Sequence, residues 1–309
     1  MISSYNEYST LKRIVVGDAT YANWPTKDPV FRSEAERTLW KDTPLPSGPV
    51  PEHIINEANQ DLQGLCSILT KHGVEVVRPN KFDFQTHDGL YNYCPRDRFI
   101  VHGSTIIDPA MMYPCRDQEY QCYVDILADA DCIIHMPRDS GMILDAANVL
   151  RIDQHRWLFL ESASGNRAAY EWLCAQLPEV DIELCNFYSG VHIDSTIVAL
   201  NADTFVVNGS RISSDQSTTA LPRHLQGKNV VFIQDVVPQT FYQYPYASKW
   251  IALNMLSIDP VNVIVDAQQE SIIHILETEL GMNVIPHTLR HSRTLGGGFH
   301  CVTLDLIRD

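Results

Sequence analysis

The sequence predicts an α/β fold, a pseudo-symmetric propeller in which five ββαβ modules form a ring. One pattern recurs roughly every 50 residues: two apolar strand-like runs joined by a short polar turn, and then a helical stretch. The last strand-like run, residues 301–307, has no partner strand of its own, and residues 11–17 are the natural candidate to complete it. A ring closed in this way hides the edges that an open sheet would expose. We therefore expect residues 1–309 to form one propeller domain.

The first module contains the most irregular part of the sequence. Residues 21–51 hold six prolines and two tryptophans, a composition that predicts an irregular surface stretch with lid character. From Glu52, apolar residues at helical spacing predict a helix that ends at Gly73. A strand is predicted directly after it, at residues 74–77.

The remaining modules each begin with a hairpin of two apolar runs. These hairpins are predicted at residues 99–107, 148–160, 196–207 and 254–265. Helical spans are predicted at residues 165–176 and 268–280, and each is followed by a further short strand.

A polar or reactive side chain precedes the first strand of every module. In chain order these residues are Asp97, Asp145, His192 with Asp194, Ser248 and Cys301. Equivalent positions in a pseudo-symmetric ring converge on its axis, so we expect these side chains to meet in one cleft. Three glycines precede Cys301 and leave the backbone without Cβ atoms, which would suit an exposed nucleophile that a ligand approaches closely.

The composition excludes several classes of protein. A formal net charge of −15 without a cluster of Lys and Arg argues against nucleic acid as a partner, although it would favour a small cationic substrate. No stretch reaches the ~18 apolar residues of a membrane helix, and no secretory signal is recognisable. The eight cysteines form no CxxC pair, which indicates reduced thiols and a cytoplasmic protein. No metal-ligand spacing is present, so neither a metal nor a cofactor is expected.

A thiol, an imidazole and several carboxylates together predict attack on a cationic carbon, because carboxylates beside a neutral carbonyl would hinder the reaction. A guanidinium group fits, since it is planar, always charged, and offers five N–H donors that carboxylates bind bidentately. Each residue alone has a simpler explanation. His192 would serve as a structural histidine, and Asp97 would pair with Arg96 or cap a turn. Their joint occurrence, one reactive residue per module, favours catalysis.

Six motifs carry these residues, and they occur in a fixed order along the chain. They are Ser4-Tyr5-Asn6-Glu7-Tyr8, Cys94-Pro95-Arg96-Asp97, Leu144-Asp145-Ala146-Ala147, Val191-His192-Ile193-Asp194-Ser195-Thr196, Ala247-Ser248-Lys249-Trp250 and Gly296-Gly297-Gly298-Phe299-His300-Cys301. In these motifs the sequence resembles the amidinotransferases of the L-arginine:glycine amidinotransferase type. The resemblance implies a pentein-type ring, the five-module α/β propeller of the guanidine-modifying superfamily.

The resemblance also implies a reaction in two halves. Cys301 attacks the guanidino carbon of arginine, and His192 protonates the amine of the departing ornithine, which leaves an amidino-cysteine. An acceptor, glycine or a related small primary amine, then takes the amidino group while His192 accepts its proton. With glycine the product is guanidinoacetate. Asp145 orients and charges His192.

The same resemblance implies roles in substrate binding for four further residues. Asp97 and Asp194 hold the guanidinium, Arg211 binds the substrate carboxylate, and Ser248 is a candidate for polar substrate contacts. The expected partners are therefore small molecules, arginine and an amine, rather than nucleic acid or a membrane. The sequence does not determine the oligomeric state, and a homodimer is the candidate assembly.

Three departures from the family pattern bear on these expectations. Asn148 stands where the family usually has a second acid, which changes a local interaction near Asp145. The connections between Asp97 and Asp145 are shorter than in the animal glycine enzymes. Residues 189–191 are small, and they lie in a region that helps to select the acceptor.

Two alternative functions remain at the level of sequence. The first is a guanidino-group hydrolase of the arginine deiminase type, which gives citrulline and ammonia. Such enzymes carry Glu-Gly-Gly or Asp-Gly-Gly where this chain has Asp145-Ala146-Ala147, so transfer is favoured. The second is a ring that binds a guanidino ligand without turnover, and the joint presence of Cys301, His192 and Asp145 argues against it.

Overall fold

We describe the protein from a computed structural model. The structure describes residues 1–39, 44–212, 221–238 and 244–309. Part of the proline-rich stretch, including Trp40, lies outside these ranges.

Five three-stranded sheets form the framework of the described residues, as the sequence repeat predicts. In every sheet the middle strand pairs antiparallel with one neighbour and parallel with the other. This is the ββαβ pattern, because a short turn joins antiparallel strands whereas parallel strands need a longer crossover. The sheets are β1 (Leu11–Val16), β4 (Glu75–Val77) and β17 (Thr303–Arg308); β5 (Ile100–His102), β6 (Thr105–Asp108) and β7 (Cys132–His135); β8 (Val149–Arg151), β9 (Arg156–Leu160) and β10 (Asp181–Cys185); β11 (Ile197–Ala199), β12 (Thr204–Asn208) and β13 (Asn229–Ile233); and β14 (Leu256–Ser257), β15 (Asn262–Asp266) and β16 (Asn283–His287).

The two ends of the chain close the first module, as predicted. Strand β17 pairs antiparallel with β1, so that Val15 lies opposite Leu304 and Val16 opposite Thr303. The opening segment lies against the same strand, because the Ser3 amide donates to the Leu306 carbonyl at 2.8 Å. The N-terminal residues are thereby held next to the strand that follows Cys301.

Six α-helices lie among the described residues: α1 (Pro29–Glu34), α2 (Glu52–Lys71), α3 (Val124–Leu127), α4 (Arg167–Gln176), α5 (Glu270–Thr278) and α6 (Ser292–Leu295). Helices α2, α4 and α5 are the crossovers of the first, third and fifth sheets. The crossover of the second sheet is a 3₁₀ helix at Pro114–Tyr123 followed by α3. That of the fourth includes residues 213–220, outside the described ranges.

Helix α2 follows the apolar spacing that predicts it. Ile54, Ala58, Leu62 and Leu69 on one face are buried, and burial of each large aliphatic side chain stabilises the fold by about 1.5–3 kcal/mol. The helix ends close to the expected glycine: Gly73 has φ of +77°, a left-handed conformation that side chains with a Cβ disfavour.

The proline-rich stretch is more regular than the sequence predicts. It contains α1, a π-helical turn at Ala35–Leu39, and a ribbon of β2 (Asn23–Trp24) with β3 (Gly48–Pro49). Asp28 caps α1 by accepting from the amides of Val30 and Phe31, and the same carboxylate accepts from the Cys115 amide at 2.8 Å. Phe31 is fully buried. The stretch therefore forms part of the core rather than only a surface segment.

A buried network of ion pairs joins residues of three modules. Asp305 is fully buried and accepts from Arg96 at 2.7 Å, from Arg308 at 2.8 Å and from Arg151 at 3.4 Å. Burial would raise the pKa of Asp305, but the three guanidinium groups hold it well below its usual range. Arg96 is thus paired with Asp305, not with its neighbour Asp97.

No α-helix in the described ranges combines the length and the apolar character required to cross a membrane.

Candidate active site

All seven residues that the sequence singles out line one cavity of about 270 Å³. They are Asp97, Asp145, His192, Asp194, Arg211, Ser248 and Cys301. The structure therefore brings the whole predicted set together, including residues that are far apart in the chain.

The turns that precede the first strands deliver these side chains to the cavity. Asp97 ends a 3₁₀ helix at Pro95–Asp97, and Asp145 directly precedes one at Ala146–Asn148. Ser248 directly precedes a third, at Lys249–Leu253. A 3₁₀ helix thus precedes the first strand in three modules. Because the modules are equivalent in the ring, the side chains at these helices converge.

Cys301 is buried, and it is held by hydrogen bonds to residues of the fourth and fifth modules. Its amide donates to Asn254 Oδ1 at 2.8 Å, and its thiol donates to Asp194 Oδ2 at 3.1 Å. The side chain lines the cavity with only 1% of its surface exposed, so the expectation of an exposed nucleophile is wrong. Strand β17 begins two residues later, at Thr303, because Cys301 belongs to a turn.

The glycines before Cys301 serve close packing. Gly296 has φ of +79°, and a Cβ on Gly297 would lie 2.4 Å from Cys94 Sγ and 3.2 Å from Cys301 Cβ. Contacts this short exclude any side chain at that position. The glycine run therefore places the nucleophile against the turn that carries Asp97.

The environment of Cys301 keeps the thiol protonated in the absence of substrate. Burial raises its pKa well above the ordinary value, and the carboxylates of Asp194 and Asp97 raise it further. A cation bound beside these carboxylates would favour the thiolate.

His192 is held in a strained conformation between two carboxylates. Its φ is +55°, which is uncommon for a residue with a Cβ and typical of functional sites. Nε2 lies 3.1 Å from Asp145 Oδ2, and Nδ1 lies 3.7 Å from Asp97 Oδ1. Burial alone would lower the pKa of His192, but Asp97, Asp145 and Asp194 raise it to about 9. The ring is therefore an imidazolium at neutral pH.

Asp145 is in turn fixed by the backbone, since its Oδ1 accepts from the Met112 amide at 2.8 Å.

Asn148, the residue that departs from the family pattern, forms its own hydrogen bonds nearby. Its amide donates to the Leu160 carbonyl at 2.8 Å and to Ser162 Oγ at 2.7 Å, and its Oδ1 accepts from Ser164 at 2.7 Å. A neutral side chain thus satisfies this buried position, and the link from Asp145 to His192 is unaffected.

Asp97 presents one oxygen without a hydrogen-bond partner among the described residues. Its Oδ2 accepts from Arg116 at 2.7 Å, whereas its buried Oδ1 has no such partner. Arg116 is held in place by two bonds to Glu119, at 2.7 and 3.0 Å. Burial raises the pKa of Asp97, although His192 and Arg116 counteract this effect. This oxygen, which lies 3.7 Å from His192 Nδ1, is suited to accept an N–H group from a ligand.

The guanidinium group of Arg211 lies over an aromatic ring. Its guanidinium carbon is 3.7 Å from the centre of the Tyr188 ring, and Nη1 donates to Ser195 Oγ at 3.0 Å and Thr196 Oγ1 at 2.5 Å. Within the described part of the chain it forms no ion pair with a carboxylate. It is therefore a cation suited to an anionic group of a ligand.

Several residues of the site carry no signal in a single sequence. Arg116 and Glu119 support Asp97, Asn254 holds the Cys301 amide, and His300 contacts Asp194. Arg116 and Glu119 belong to the same module as Asp97, whereas the contacts of Asn254 and His300 join different modules. Only His300, adjacent to the nucleophile in its motif, was marked by the sequence pattern.

Among the residues that the structure describes, no group of three His, Cys, Asp or Glu side chains has an arrangement suited to a metal ion. The eight cysteines are all free thiols.

Comparison with known proteins gives the family. No protein-family model matches the chain. Over its whole length the chain is 34% identical to inosamine-phosphate amidinotransferase 1 from Streptomyces glaucescens, of which 97% is covered. It is 26% identical to the mitochondrial glycine amidinotransferase of Xenopus tropicalis, over 99% of this chain and 83% of that protein.

A solved structure supports the same relationship. The inosamine-phosphate amidinotransferase from Streptomyces griseus matches with a TM-score of 0.90 and 32% identity, over 100% of this chain and 97% of the other. This similarity extends over all five modules and confirms the pentein-type propeller. The chain therefore belongs to the amidinotransferases, enzymes that transfer an amidino group.

Proposed function

We propose that the protein transfers the amidino group of L-arginine to a primary amine, with Cys301 as the nucleophile and ornithine as the first product. The observation that carries this proposal is the pairing of a thiol with Asp194 in a cavity that also holds an imidazolium, His192, and an Asp97 oxygen that accepts no hydrogen bond. A planar cation that offers several N–H donors is complementary to this arrangement.

The arginine guanidinium would bind between Asp97 and Asp194. Its N–H groups would donate to Asp97 Oδ1 and to Asp194, which also accepts from the Cys301 thiol. The positive charge of the guanidinium offsets the two carboxylates that raise the thiol pKa. Substrate binding would therefore promote loss of the thiol proton to solvent.

In the first half-reaction, the Cys301 thiolate forms a bond to the guanidino carbon. The bond from that carbon to the δ-nitrogen of ornithine then breaks, and the nitrogen takes a proton from the His192 imidazolium. Because Nε2 of His192 is paired with Asp145, Nδ1 is the nitrogen available for this transfer. The product is an amidino-cysteine and a neutral imidazole.

In the second half-reaction, the acceptor amine gives a proton to His192 and attacks the amidino carbon. The carbon–sulfur bond breaks and the thiolate returns. This chemistry needs no water, and the family relationship favours it over the hydrolase alternative.

We propose that Arg211 binds the carboxylate of arginine and, after ornithine has left, an anionic group of the acceptor amine. Glycine is the smallest such amine and is the acceptor type that the sequence motifs suggest. An inosamine phosphate is the second candidate, because identity to the inosamine-phosphate enzymes is higher than to the glycine enzyme, 34% against 26%. Both acceptors carry an anion, as carboxylate or as phosphate.

The test is incubation with arginine and a panel of amines, followed by mass spectrometry of the products. The panel contains glycine, an inosamine phosphate and ethanolamine, which has no anionic group. Ornithine together with an amidinated amine is the expected result, and the amidinated compound identifies the acceptor. Citrulline and ammonia formed without any added amine would refute transfer, and Cys301→Ala serves as the control for catalysis.

A further inference from the structure

Two motifs of the sequence have no role in the proposed reaction, the opening segment with Glu7 and the histidine before the nucleophile, His300. The structure places them in contact. His300 Nε2 lies 3.1 Å from Glu7 Oε2, and His300 Nδ1 lies 2.9 Å from Asp194 Oδ2. The side chains of Glu7, His300 and Asp194 are all buried.

The oxygen that His300 contacts is the one that accepts from Cys301. Asp194 Oδ2 lies 2.9 Å from the imidazole and 3.1 Å from the thiol sulfur. Its orientation is therefore fixed by His300 as well as by the thiol. A carboxylate held by only one of these contacts would be free to rotate about its bond to the Cβ atom.

His300 Nδ1 is within hydrogen-bond distance of Asp194, whereas Nε2 contacts Glu7 as an ion pair without the geometry of a hydrogen bond. A ring that faces a carboxylate at each nitrogen favours the imidazolium form. Burial and Arg96 would lower the pKa of His300, but Glu7 and Asp194 raise it above its ordinary value. The groups that face this ring are Glu7, Asp194 and Arg96, with Arg151 adjacent to Glu7. The Arg96 guanidinium also holds the His300 carbonyl, with an N–O distance of 3.4 Å.

We propose that His300 is a positioning residue that holds Asp194 Oδ2 against the Cys301 thiol and the substrate guanidinium, and that Glu7 fixes the far side of its ring. The inference rests on the proposed function, since it assigns a role in the same site. His300 acts through Asp194 and contacts no reacting atom itself. The N-terminal segment would thus contribute to the geometry of the reaction although it lies outside the cavity.

The test compares His300→Asn with His300→Gln. The side-chain amide of Asn can place a donor where Nδ1 lies, whereas the longer Gln places it nearer the position of Nε2. The rate of amidino-cysteine formation from arginine is measured by rapid quenching and peptide mass spectrometry. We expect His300→Gln to slow this step about 10- to 100-fold, the cost of misplacing a reacting group by about 1 Å. His300→Asn should restore most of the rate.

The matched controls are His102→Asn and His102→Gln, because His102 is also buried but does not line the cavity. Thermal unfolding verifies that each variant is folded. Equal rates of adduct formation in the two His300 variants and the unmodified protein would overturn the inference. If the unmodified protein forms no adduct with arginine, the proposed function fails instead, so the two failures are distinguishable.

A second measurement does not depend on the folding of any variant. Nitrogen-15 NMR of the unmodified protein at pH 7 reports which ring nitrogens of His300 carry protons. Protons on both nitrogens are expected. A His300 Nδ1 without a proton could not donate to Asp194, and this result would also overturn the inference.

Discussion

Replacement of Asp194 by Asn should make the thiol of Cys301 more reactive in the absence of substrate. The carboxylate accepts from the thiol at 3.1 Å and is the nearest anion that disfavours the thiolate. At this distance and an effective dielectric of about 20, two unit negative charges repel by about 5 kcal/mol. That energy corresponds to about four pKa units, and the neutral Asn has nearly the same shape.

The net effect in this variant is smaller, because His300 also loses a charged partner. We expect the thiol pKa to fall by at least about one unit, which gives an increase of at least about tenfold in the rate of alkylation by iodoacetamide at pH 7. The same variant should bind arginine more weakly, since half of the proposed clamp is lost. General destabilisation of the fold would expose several buried cysteines to the reagent. An increase in labelling confined to Cys301, together with weaker arginine binding, therefore identifies a local effect.

The assay follows carbamidomethylation of each cysteine by peptide mass spectrometry. Cys132 is exposed and provides an internal reference for the reagent. Asp145→Asn is the matched control, because Asp145 pairs with His192 and does not contact the thiol. If Asp194→Asn leaves the labelling of Cys301 unchanged or slows it, the account of the thiol is refuted.

Four further predictions concern the site. Cys301→Ala should abolish turnover but retain arginine binding by calorimetry, because both clamp carboxylates remain; loss of binding would contradict the proposed clamp. His192→Asn should reduce the rate by a factor on the order of 10²–10⁴, the usual contribution of a general acid, and near-normal turnover would exclude this role. The pKa of His192 is raised to about 9, so the acid form is present below that value, and kcat/KM for arginine should fall as the pH rises through about 9. In Asp145→Asn, which removes one of the carboxylates that raise this pKa, kcat/KM should begin to fall at a lower pH. Asn148→Ala should lower the free energy of unfolding by about 1–3 kcal/mol in urea titrations, because it leaves buried partners such as the Leu160 carbonyl without a donor, and an unchanged value would contradict this reasoning.

The sequence predicts the framework of the ring because the framework depends on local patterns. Hairpins and crossover helices have periodic apolar residues, and the pairing of β17 with β1 follows from a strand left without a neighbour. The convergence of the catalytic side chains follows from the same repeat. Each of these features can be inferred within one module or from the order of modules.

What the sequence does not predict depends on individual side-chain contacts that the repeat does not encode. Asp97 is supported by Arg116 rather than by its neighbour Arg96, which the fold commits to Asp305. The Cys301 amide is held by Asn254, from the preceding module. Helix α1 forms within a proline-rich stretch because Asp28 caps it and because Phe31 has a buried position to fill. No periodicity or spacing encodes such pairings.

The central claim is that an amidino group is carried on Cys301, and one measurement tests it directly. The protein is incubated with arginine labelled with carbon-13 at the guanidino carbon, without an acceptor, and is then quenched in acid and digested. We predict that the peptide containing Cys301 gains the labelled amidino group and that an equal amount of ornithine is released. Turnover of arginine with the amine panel but without label on Cys301 in this experiment would contradict the account.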